Sequence, residues 1–365
     1  MVSLQALAPF LVTLAATVGL VLTKRWHGRV SLDSSFGVQR QHTAPTPRIG
    51  GVAMAFGLVA SYVLATGTAK TILGTMVVAG VPAFSAGLLE DLTKRVGVRF
   101  RLFSTMATGM LAWAISGTAM QDTGLWGLDS LLGYLPIAVA FTAFVVGGVA
   151  NAINIIDGFN GLAAGVATIM LTAMGCIAVG VGDADVAQVA FILASIALGF
   201  GTINWPWGKI FMGDGGAYLL GFLVAWIAIL LPMRNAEVNG WATLLACAYP
   251  VLEVLFSIYR KIKRHGHHPG QPDKCHLHHF LHRRVIRKVF PRAQRDLQNG
   301  LTGSLMWGCA LLPAIWSVGY YDNTPMLVVG FFIAVIGYAA TFARLTQFVW
   351  CFQAATLRRR NVAVT

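Results

Sequence analysis

The sequence predicts an all-α, polytopic integral membrane protein with about eleven transmembrane helices, in a single domain that covers residues 1–365. Hydrophobic residues fill 56% of the positions, and the mean hydropathy is +0.67. About eleven apolar runs are long enough, or nearly so, to cross a hydrocarbon core as helices. The runs cover residues 4–22, 50–66, 72–89, 102–119, 131–150, 161–181, 186–203, 216–232, 240–258, 302–320 and 325–343. No charged residue precedes the first run, so we expect a retained span rather than a signal peptide.

Lysine and arginine predict the orientation of these helices. With the N-terminus outside, 25 of the 27 basic residues fall in inner segments, as the positive-inside rule requires. An odd number of spans then leaves the C-terminus in the cytoplasm. The inner segments are 23–49, 90–101, 151–160, 204–215, 259–301 and 344–365. The net charge of +13 therefore reflects topology and an anionic leaflet or substrate, and we expect no nucleic acid partner.

A polar stretch, NAINIIDGFNGLAAG, occupies residues 151–165 between two apolar runs. Its amides and its carboxylate are costly at that depth unless they line a polar cavity. The stretch therefore marks a site at which something polar is handled, with Asn154, Asp157 and Asn160 among its candidate residues.

The first inner segment contains Arg40, His42 and the run PTPRIGG at residues 45–51. Two prolines followed by two glycines predict a rigid, tight return into the membrane with exposed backbone amides. Arg40 and Arg48 would then face an anion. The alternative is that these arginines only anchor the inner face.

Two adjacent carboxylates, Glu90 and Asp91, end the third apolar run and are followed by four basic residues between positions 94 and 101. Neighbouring carboxylates at a membrane interface repel, so one is protonated or a cation neutralises both. A divalent metal is the simplest neutraliser, and salt bridges to the arginines downstream are the alternative.

Asp214 lies between glycines in the run FMGDGG, directly before another apolar run. Glycines let the phosphates of a ligand approach the backbone, and the N-terminus of the following helix favours negative charge. An aspartate among those amides is well placed to hold Mg²⁺ that bridges to phosphate oxygens. A simple helix cap is the alternative.

The longest inner segment carries the run DKCHLHHFLHRR at residues 273–284. It has no HExxH motif, and tetrahedral zinc needs three or four converging ligands, so we do not favour zinc. Apolar residues recur at helical spacing opposite Arg283 and Arg287, which predicts an amphipathic helix in the interface. Histidines beside arginines suit phosphate binding or proton handling.

Carboxylates, arginines and histidines on one membrane face indicate phosphate chemistry with a lipid partner. A transporter or lipid flippase is the non-enzyme alternative. Carriers usually place their charges near the bilayer midplane and show repeat symmetry. Here the carboxylates cluster at one face and no repeat is visible, so we favour an enzyme.

Together the motifs resemble the polyprenyl-phosphate N-acetylhexosamine-1-phosphate transferase family. The likeness covers roughly residues 40 to 285 and comprises PTPRIGG, the acidic pair, NAINIIDGFNGLAAG, FMGDGG and HLHH in the family's order. Each motif alone is a weak match, but five in order are specific. The resemblance implies transfer of sugar-1-phosphate from a UDP-N-acetylhexosamine to undecaprenyl phosphate, with release of UMP, at the cytoplasmic face of a bacterial inner membrane.

The resemblance also implies roles for individual residues. The expected catalytic residues are the carboxylates Glu90, Asp91, Asp157 and Asp214, and the expected metal ligands are Asp214 and Asp91, with Mg²⁺ as the metal and Mn²⁺ as an alternative. The expected substrate contacts fall into three groups. Asn204 and Phe211 look like nucleoside contacts. Asp157, Gly158 and Phe159 resemble the wall around uridine and diphosphate, and Asn154 and Asn160 are expected as further substrate contacts. Arg48, His276, His278 and His279 look like sugar or phosphate contacts.

PTPRIGG and HLHH look more like the GlcNAc, FucNAc or QuiNAc branch of the family than like the pentapeptide branch. We therefore favour initiation of an O-antigen, capsule or similar glycan, with phospho-MurNAc-pentapeptide transfer in peptidoglycan synthesis as the alternative. The sequence leaves open whether two chains form a homodimer.

Two positions depart from the family pattern. Glu90–Asp91 replaces the usual pair of aspartates, and Asn160 replaces the second aspartate of DGxDG. We expect Glu90 and Asp91 mainly to position metal and acceptor, and Asn160 to ease diphosphate binding or shift sugar preference. A catalytically silent homologue is the alternative, which the intact Asp157 and Asp214 disfavour.

Overall fold

The computed structural model describes residues 2–32, 45–263 and 275–347, with side chains from residue 7 onward except that of Trp126. The described chain is almost entirely helical, with one isolated antiparallel bridge between Leu32 and Pro47. The predicted anion contacts Arg40 and His42 lie outside the described residues.

The helices are numbered in chain order. The first eight are α1 (Val2–Leu22), α2 (Lys24–Ser31), α3 (Gly50–Leu64), α4 (Gly67–Ala79), α5 (Val81–Thr93), α6 (Val98–Ser116), α7 (Trp126–Leu132) and α8 (Leu135–Ile156). The others are α9 (Leu162–Gly180), α10 (Ala184–Asn204), α11 (Gly213–Arg234), α12 (Gly240–Ala246), α13 (Ala248–Lys263), α14 (Leu277–Leu281), α15 (Arg287–Val289), α16 (Arg295–Gly319) and α17 (Thr324–Thr346). A π-helical stretch, His282–Ile286, joins α14 to α15.

Each of the predicted apolar runs coincides with a helix or with a bent pair of helices. By length and composition, six helices in the described chain are long and apolar enough to cross a membrane, namely α8, α9, α10, α11, α16 and α17. The number rises to nine if each bent pair, α1/α2, α4/α5 and α12/α13, is one span. The all-α, polytopic class is therefore confirmed, whereas the eleven spans and the orientation of the termini stay predictions.

Local sequence signals set several helix ends. Pro82 and Pro136 lie in the first turns of α5 and α8, where a missing N–H breaks no helical hydrogen bond. Asp183 caps α10, because its side chain accepts a hydrogen bond from the N–H of Val186. Gly117 ends α6 with φ of 72°, a conformation that glycine adopts without strain.

Helix α11 is the central helix of the bundle. Every residue from Gly213 to Pro232 is buried, and the helix packs against α3, α5, α8 and α9. Such burial explains why its sequence is apolar on all sides rather than on one face. As a result, Asp214 at its N-terminus is enclosed by neighbouring elements.

Two helices approach the N-terminus of α11 backbone to backbone. A Cβ added at Gly51 of α3 would overlap the backbone of Gly216, and a Cβ added at Gly87 of α5 would overlap that of Gly215. Only glycine at these positions permits such close contact. The separation of α3, α5 and α11 is therefore set by their main chains.

The PTPRIGG run is tied to the segment that leads into α11. The N–H of Phe211 donates to the carbonyl of Pro47 at 2.8 Å, and the N–H groups of Gly50 and Gly51 donate to the carbonyls of Phe211 and Met212 at 3.0 and 2.9 Å. The predicted tight return is therefore present. However, these two glycine amides are paired with backbone rather than exposed for a ligand.

Candidate active site

Asp91 and Asp214 meet at one end of the helical bundle. The Oδ1 atom of Asp91 accepts the N–H of Asp214 and its Oδ2 atom accepts the N–H of Gly215, each at 2.9 Å. These donors belong to the first turn of α11, which lacks helical partners and favours negative charge. Asp91 therefore caps α11 from a different helix, α5. The sequence predicts that amides of this turn face phosphate, but two of them bind Asp91 instead.

The carboxylate of Asp214 is the meeting point of three other side chains. Asn154 donates through Nδ2 to its Oδ1 at 3.1 Å, and Arg101 forms an ion pair with its Oδ2. The guanidinium of Arg48 lies 3.5 Å from Oδ1 of Asp214 and 3.6 Å from Oδ1 of Asp91. The structure thus brings together four predicted residues from four separate segments.

Arg101 is a site residue that the sequence analysis did not select. It lies in the first turn of α6, ten positions after Asp91, and was expected only as a salt-bridge partner of the acidic pair. In the structure it reaches Asp214, 113 positions later in the chain. A basic residue at a helix start beside two carboxylates is the signal that pointed toward it.

The adjacent carboxylates Glu90 and Asp91 occupy different environments. Asp91 is 3% exposed and faces α11. Glu90 accepts the N–H of Val96 at 2.8 Å through Oε2 and thereby holds the turn between α5 and α6. Neither carboxylate bonds the other in the described structure. Glu90 holds the turn before α6, and Asp91 holds the first turn of α11.

Asp157 follows the last residue of α8 and lies in the same charged cluster. Burial raises the pKa of Asp157 well above its usual range, the charge of Arg48 acts to lower it, and the charges of Asp214 and Asp91 raise it further. Asp157 therefore lies close enough to Arg48, Asp214 and Asp91 to interact with their charges.

The histidine segment and the NAINIIDGFNG stretch form one continuous wall. The ring of Phe159 packs against His278, His279 and His282, with ring centroids 5.5, 5.4 and 5.1 Å apart. A Cβ added at Gly158 would lie 3.5 Å from Nε2 of His278. Phe159 is only 3% exposed, so its ring joins the two motifs, and its contact with uridine stays a prediction.

Two histidines of this wall are neutral near neutral pH. Burial lowers the pKa of His278 well below its usual range, and His279, His276 and Arg260 lower it further. Burial, with Arg287 and Arg283, lowers the pKa of His282 to about 4. A neutral imidazole donates through one nitrogen and accepts through the other.

His282 was not among the predicted contacts, although it follows HLHH by three residues. It is 6% exposed, and its Nδ1 lies 2.9 Å from the hydroxyl of Thr302 on α16. This bond ties the histidine segment to α16.

Asn204, a predicted nucleoside contact, braces two loops with both ends of its amide. Its Oδ1 accepts the N–H of Gly161 at 2.6 Å, and its Nδ2 donates to the carbonyl of Ile210 at 2.7 Å. Phe211 comes directly after Ile210 in the sequence, and its backbone pairs with the PTPRIGG run, as described above. Contact of Asn204 or Phe211 with a nucleoside stays a prediction.

Asn160 has a structural reason to be an amide. It is 2% exposed, and its Nδ2 donates to the carbonyls of Pro206 and Asp296 at 2.9 and 3.4 Å. An ionised aspartate has no hydrogen to donate and could not form these bonds. The departure from DGxDG therefore matches the local hydrogen bonding.

The donor set suits a metal that takes few protein ligands. Within the described ranges, no group of three or more His, Cys, Asp or Glu side chains is placed to hold a metal. Mg²⁺ is usually bound by one or two carboxylates together with waters and substrate phosphates. Asp214 with Asp91 beside it fits this pattern, although Arg48 and Arg101 occupy the oxygens of Asp214 in this structure.

Comparison with known proteins shows the family to which the chain belongs. The family model described as glycosyl transferase family 4 matches residues 73–232, a range that contains all four expected catalytic carboxylates. Decaprenyl-phosphate N-acetylglucosaminephosphotransferase of Mycobacterium leprae (strain TN) is 33% identical over 290 residues, which cover 68% of this chain and 71% of the relative.

Two further relatives carry the same kind of name. Undecaprenyl-phosphate alpha-N-acetylglucosaminyl 1-phosphate transferase of Yersinia pestis is 27% identical over 70% of each chain. The protein of that name from Escherichia coli O157:H7 is 27% identical over 85% of this chain and 83% of its own. The chain therefore belongs to glycosyl transferase family 4, the polyprenyl-phosphate N-acetylhexosamine-1-phosphate transferase family.

Proposed function

We propose that the protein transfers N-acetylglucosamine-1-phosphate from a UDP-sugar to a polyprenyl phosphate, with undecaprenyl phosphate as the acceptor. The observation that carries this proposal is the convergence of Arg48, Asp91, Asn154 and Asp214 on one polar site at the ends of apolar helices. The names of the relatives, which act on polyprenyl phosphates and N-acetylglucosamine, agree with it.

In the proposed reaction, an oxygen of the lipid phosphate bonds to the sugar-linked phosphorus of the donor, and the bond between the two donor phosphates breaks to release UMP. A phosphate monoester has a second pKa near ~6, so the acceptor is mostly dianionic near neutral pH. Little proton transfer is then required. The protein must mainly neutralise and align two anionic phosphates.

The side chains of the site suit that task. Arg48 and Arg101 bring positive charge to the cluster, and neutral His278 can donate a hydrogen bond without becoming charged. Mg²⁺, or Mn²⁺ in its place, would be held by Asp214 with Asp91 beside it and would neutralise charge on the phosphate oxygens. Asp91 and Glu90 hold the surrounding turns, which supports a positioning role for both.

We place the site at the cytoplasmic face of a bacterial inner membrane, with the N-terminus outside and eleven spans. The concentration of 25 of the 27 basic residues in the inner segments supports this orientation. The product would begin an O-antigen, capsule or related envelope glycan, as PTPRIGG and HLHH suggest.

The test is an assay of the purified protein with undecaprenyl phosphate, Mg²⁺ and one radiolabelled UDP-sugar at a time. We expect UMP release with UDP-N-acetylglucosamine that requires the acceptor and stops on chelation of the metal. Asp214→Asn should be folded but inactive. Release only with UDP-MurNAc-pentapeptide would assign the peptidoglycan branch. No release with any donor, where a relative works, would refute the proposal.

A further inference from the structure

Helix α13 buries a carboxylate that the proposed chemistry does not use. Glu253 is 0% exposed. Its Oε1 accepts the backbone N–H of Leu277 at 3.0 Å and lies 2.9 Å from Nδ1 of His276. A carboxylate is costly to bury unless it is paired and hydrogen-bonded. Both of its partners here belong to the start of the histidine segment.

This arrangement fixes where the hydrogen of His276 lies. A backbone N–H can only donate, so Oε1 of Glu253 is an acceptor. The Nδ1 atom of His276 therefore carries the hydrogen that it shares with the carboxylate. In a neutral ring the other nitrogen, Nε2, is then an acceptor.

A second residue on the same face of α13 contacts the next histidine. Tyr249 lies four positions before Glu253, which places both side chains on one side of the helix. Its hydroxyl is 3.4 Å from Nδ1 of His278. Tyr249 is buried, and Nδ1 of His278 is the one hydrogen-bond partner of its hydroxyl within the described chain, so we assign the hydroxyl as the donor and the hydrogen of neutral His278 to Nε2. This Nε2 is buried, has no hydrogen-bond partner within the described chain and points toward Gly158.

The two imidazoles stack in parallel, with centroids 5.4 Å apart and an angle of 8° between the rings. We infer that Glu253 and Tyr249 are positioning residues that hold these stacked rings in opposite tautomers. His278 then offers a donor to a phosphate oxygen of a substrate, whereas His276 offers an acceptor nitrogen to a substrate group that carries a hydrogen. The identity of that substrate rests on the proposed function, but the tautomers do not.

Kinetic coupling tests whether Glu253 acts through His276. Glu253→Gln keeps the shape and one acceptor but removes the charge, and we expect kcat/KM to fall about tenfold, as for other carboxylates that orient histidines. In a His276→Ala background the same change should cost less than about twofold, because coupled residues are not additive. Asp183→Asn, which removes a half-buried carboxylate at the N-terminus of α10, should have the same effect on kcat/KM in both backgrounds.

A full effect of Glu253→Gln in the His276→Ala background would overturn the inference, as would wild-type activity of Glu253→Gln. Either result would assign Glu253 to structure alone.

Magnetic resonance of protein labelled with ¹⁵N-histidine reads the tautomers without any substrate. The variants His276→Ala and His278→Ala identify the two signals. We expect hydrogen on Nδ1 of His276 and on Nε2 of His278, and Tyr249→Phe should alter the second signal only. Identical tautomers in the wild-type protein would refute the inference, even if no UDP-sugar were ever turned over or the Glu253 variant failed to fold.

Discussion

The carboxylate of Asp91 accepts the backbone N–H of Asp214 at 2.9 Å, across 123 positions of sequence. One acidic residue thus fixes the main chain of another, and the second presents its side chain to Asn154, Arg101 and Arg48. Asp91 is therefore expected to act by positioning Asp214.

Asp91→Asn should reduce UMP release about 100-fold. The NH₂ group of the asparagine would face one of the two backbone N–H donors, and leaving that buried N–H unpaired costs about 1–3 kcal/mol. Glu90→Gln is the matched control. Its amide oxygen can still accept the N–H of Val96, so we expect a loss of less than about tenfold. Steady-state assays of both variants decide the point.

The opposite ranking of the two variants would contradict a positioning role for Asp91. If Glu90→Gln is inactive near neutral pH but recovers when the pH is raised, Glu90 is instead the base that deprotonates the acceptor.

Arg101 should compete with the metal for Asp214. Arg101→Met removes one cation from that carboxylate. The Mg²⁺ concentration that gives half of the maximal rise in thermal midpoint should therefore fall about tenfold, which corresponds to one hydrogen bond to a charged group. The rise in thermal midpoint on addition of Mg²⁺ measures this without catalysis. Arg99→Met, at an exposed position two residues earlier, should leave the midpoint concentration unchanged. An unchanged value for Arg101→Met would show that the ion pair does not oppose metal binding.

Asn160→Asp should destabilise the protein rather than retune its donor affinity. The aspartate cannot donate to the carbonyls of Pro206 and Asp296, and leaving buried groups unpaired costs about 1–3 kcal/mol each. We expect the thermal midpoint to fall by about 2–4 °C for each kcal/mol lost. Asn160→Ala, which removes the donors without adding charge, should show a similar fall. A changed KM for the UDP-sugar with an unchanged thermal midpoint would instead favour the prediction that Asn160 eases diphosphate binding or shifts sugar preference.

The ion pair between Asp183 and Arg234 should make stability depend on pH. Burial acts to raise the pKa of Asp183, but hydrogen bonds from Arg234, Val186 and Asn235 outweigh it and lower the pKa. A carboxyl with a lowered folded pKa stabilises the protein above its unfolded value, near ~3.9, and this is lost as the pH falls through the folded value.

Asp183→Asn keeps the helix cap but removes the charge. Its thermal midpoint should therefore lie a few degrees below wild type at neutral pH, and the two should converge in acid. A constant difference at every pH would rule out the ion pair as the cause.

Much of the site follows from where polar residues interrupt apolar runs. Asp157, Asp214 and the histidines lie at such interruptions, and the structure gathers them because helix ends meet at one end of the bundle. The predicted runs also match the helices, since apolar length is a property of sequence alone. The bends within α4/α5 and α12/α13, 43° and 78°, do not change the apolar pattern and were not predicted.

Side-chain partners from distant helices could not be predicted. The cap that Asp91 places on α11, the reach of Arg101 to Asp214, and the carbonyls that Asn160 bonds all depend on which helices pack together. Hydrophobic periodicity records which face is buried but not the partner it is buried against. Phe159 illustrates the same limit, because its packing against the rings of His278, His279 and His282 was not predicted.

The glycine contacts of Gly51 with Gly216 and of Gly87 with Gly215 also determine where the protein is able to diversify. Backbone meets backbone at these two contacts, so a methyl group added at Gly51 or Gly87 would displace the half of the site around Asp91 and Asp214. The opposite half, residues 205–210 and 280–289, contacts its neighbours through side chains that can be exchanged. New donor specificities, natural or engineered, should therefore accumulate in those two segments, while the glycines and their three helices remain unchanged.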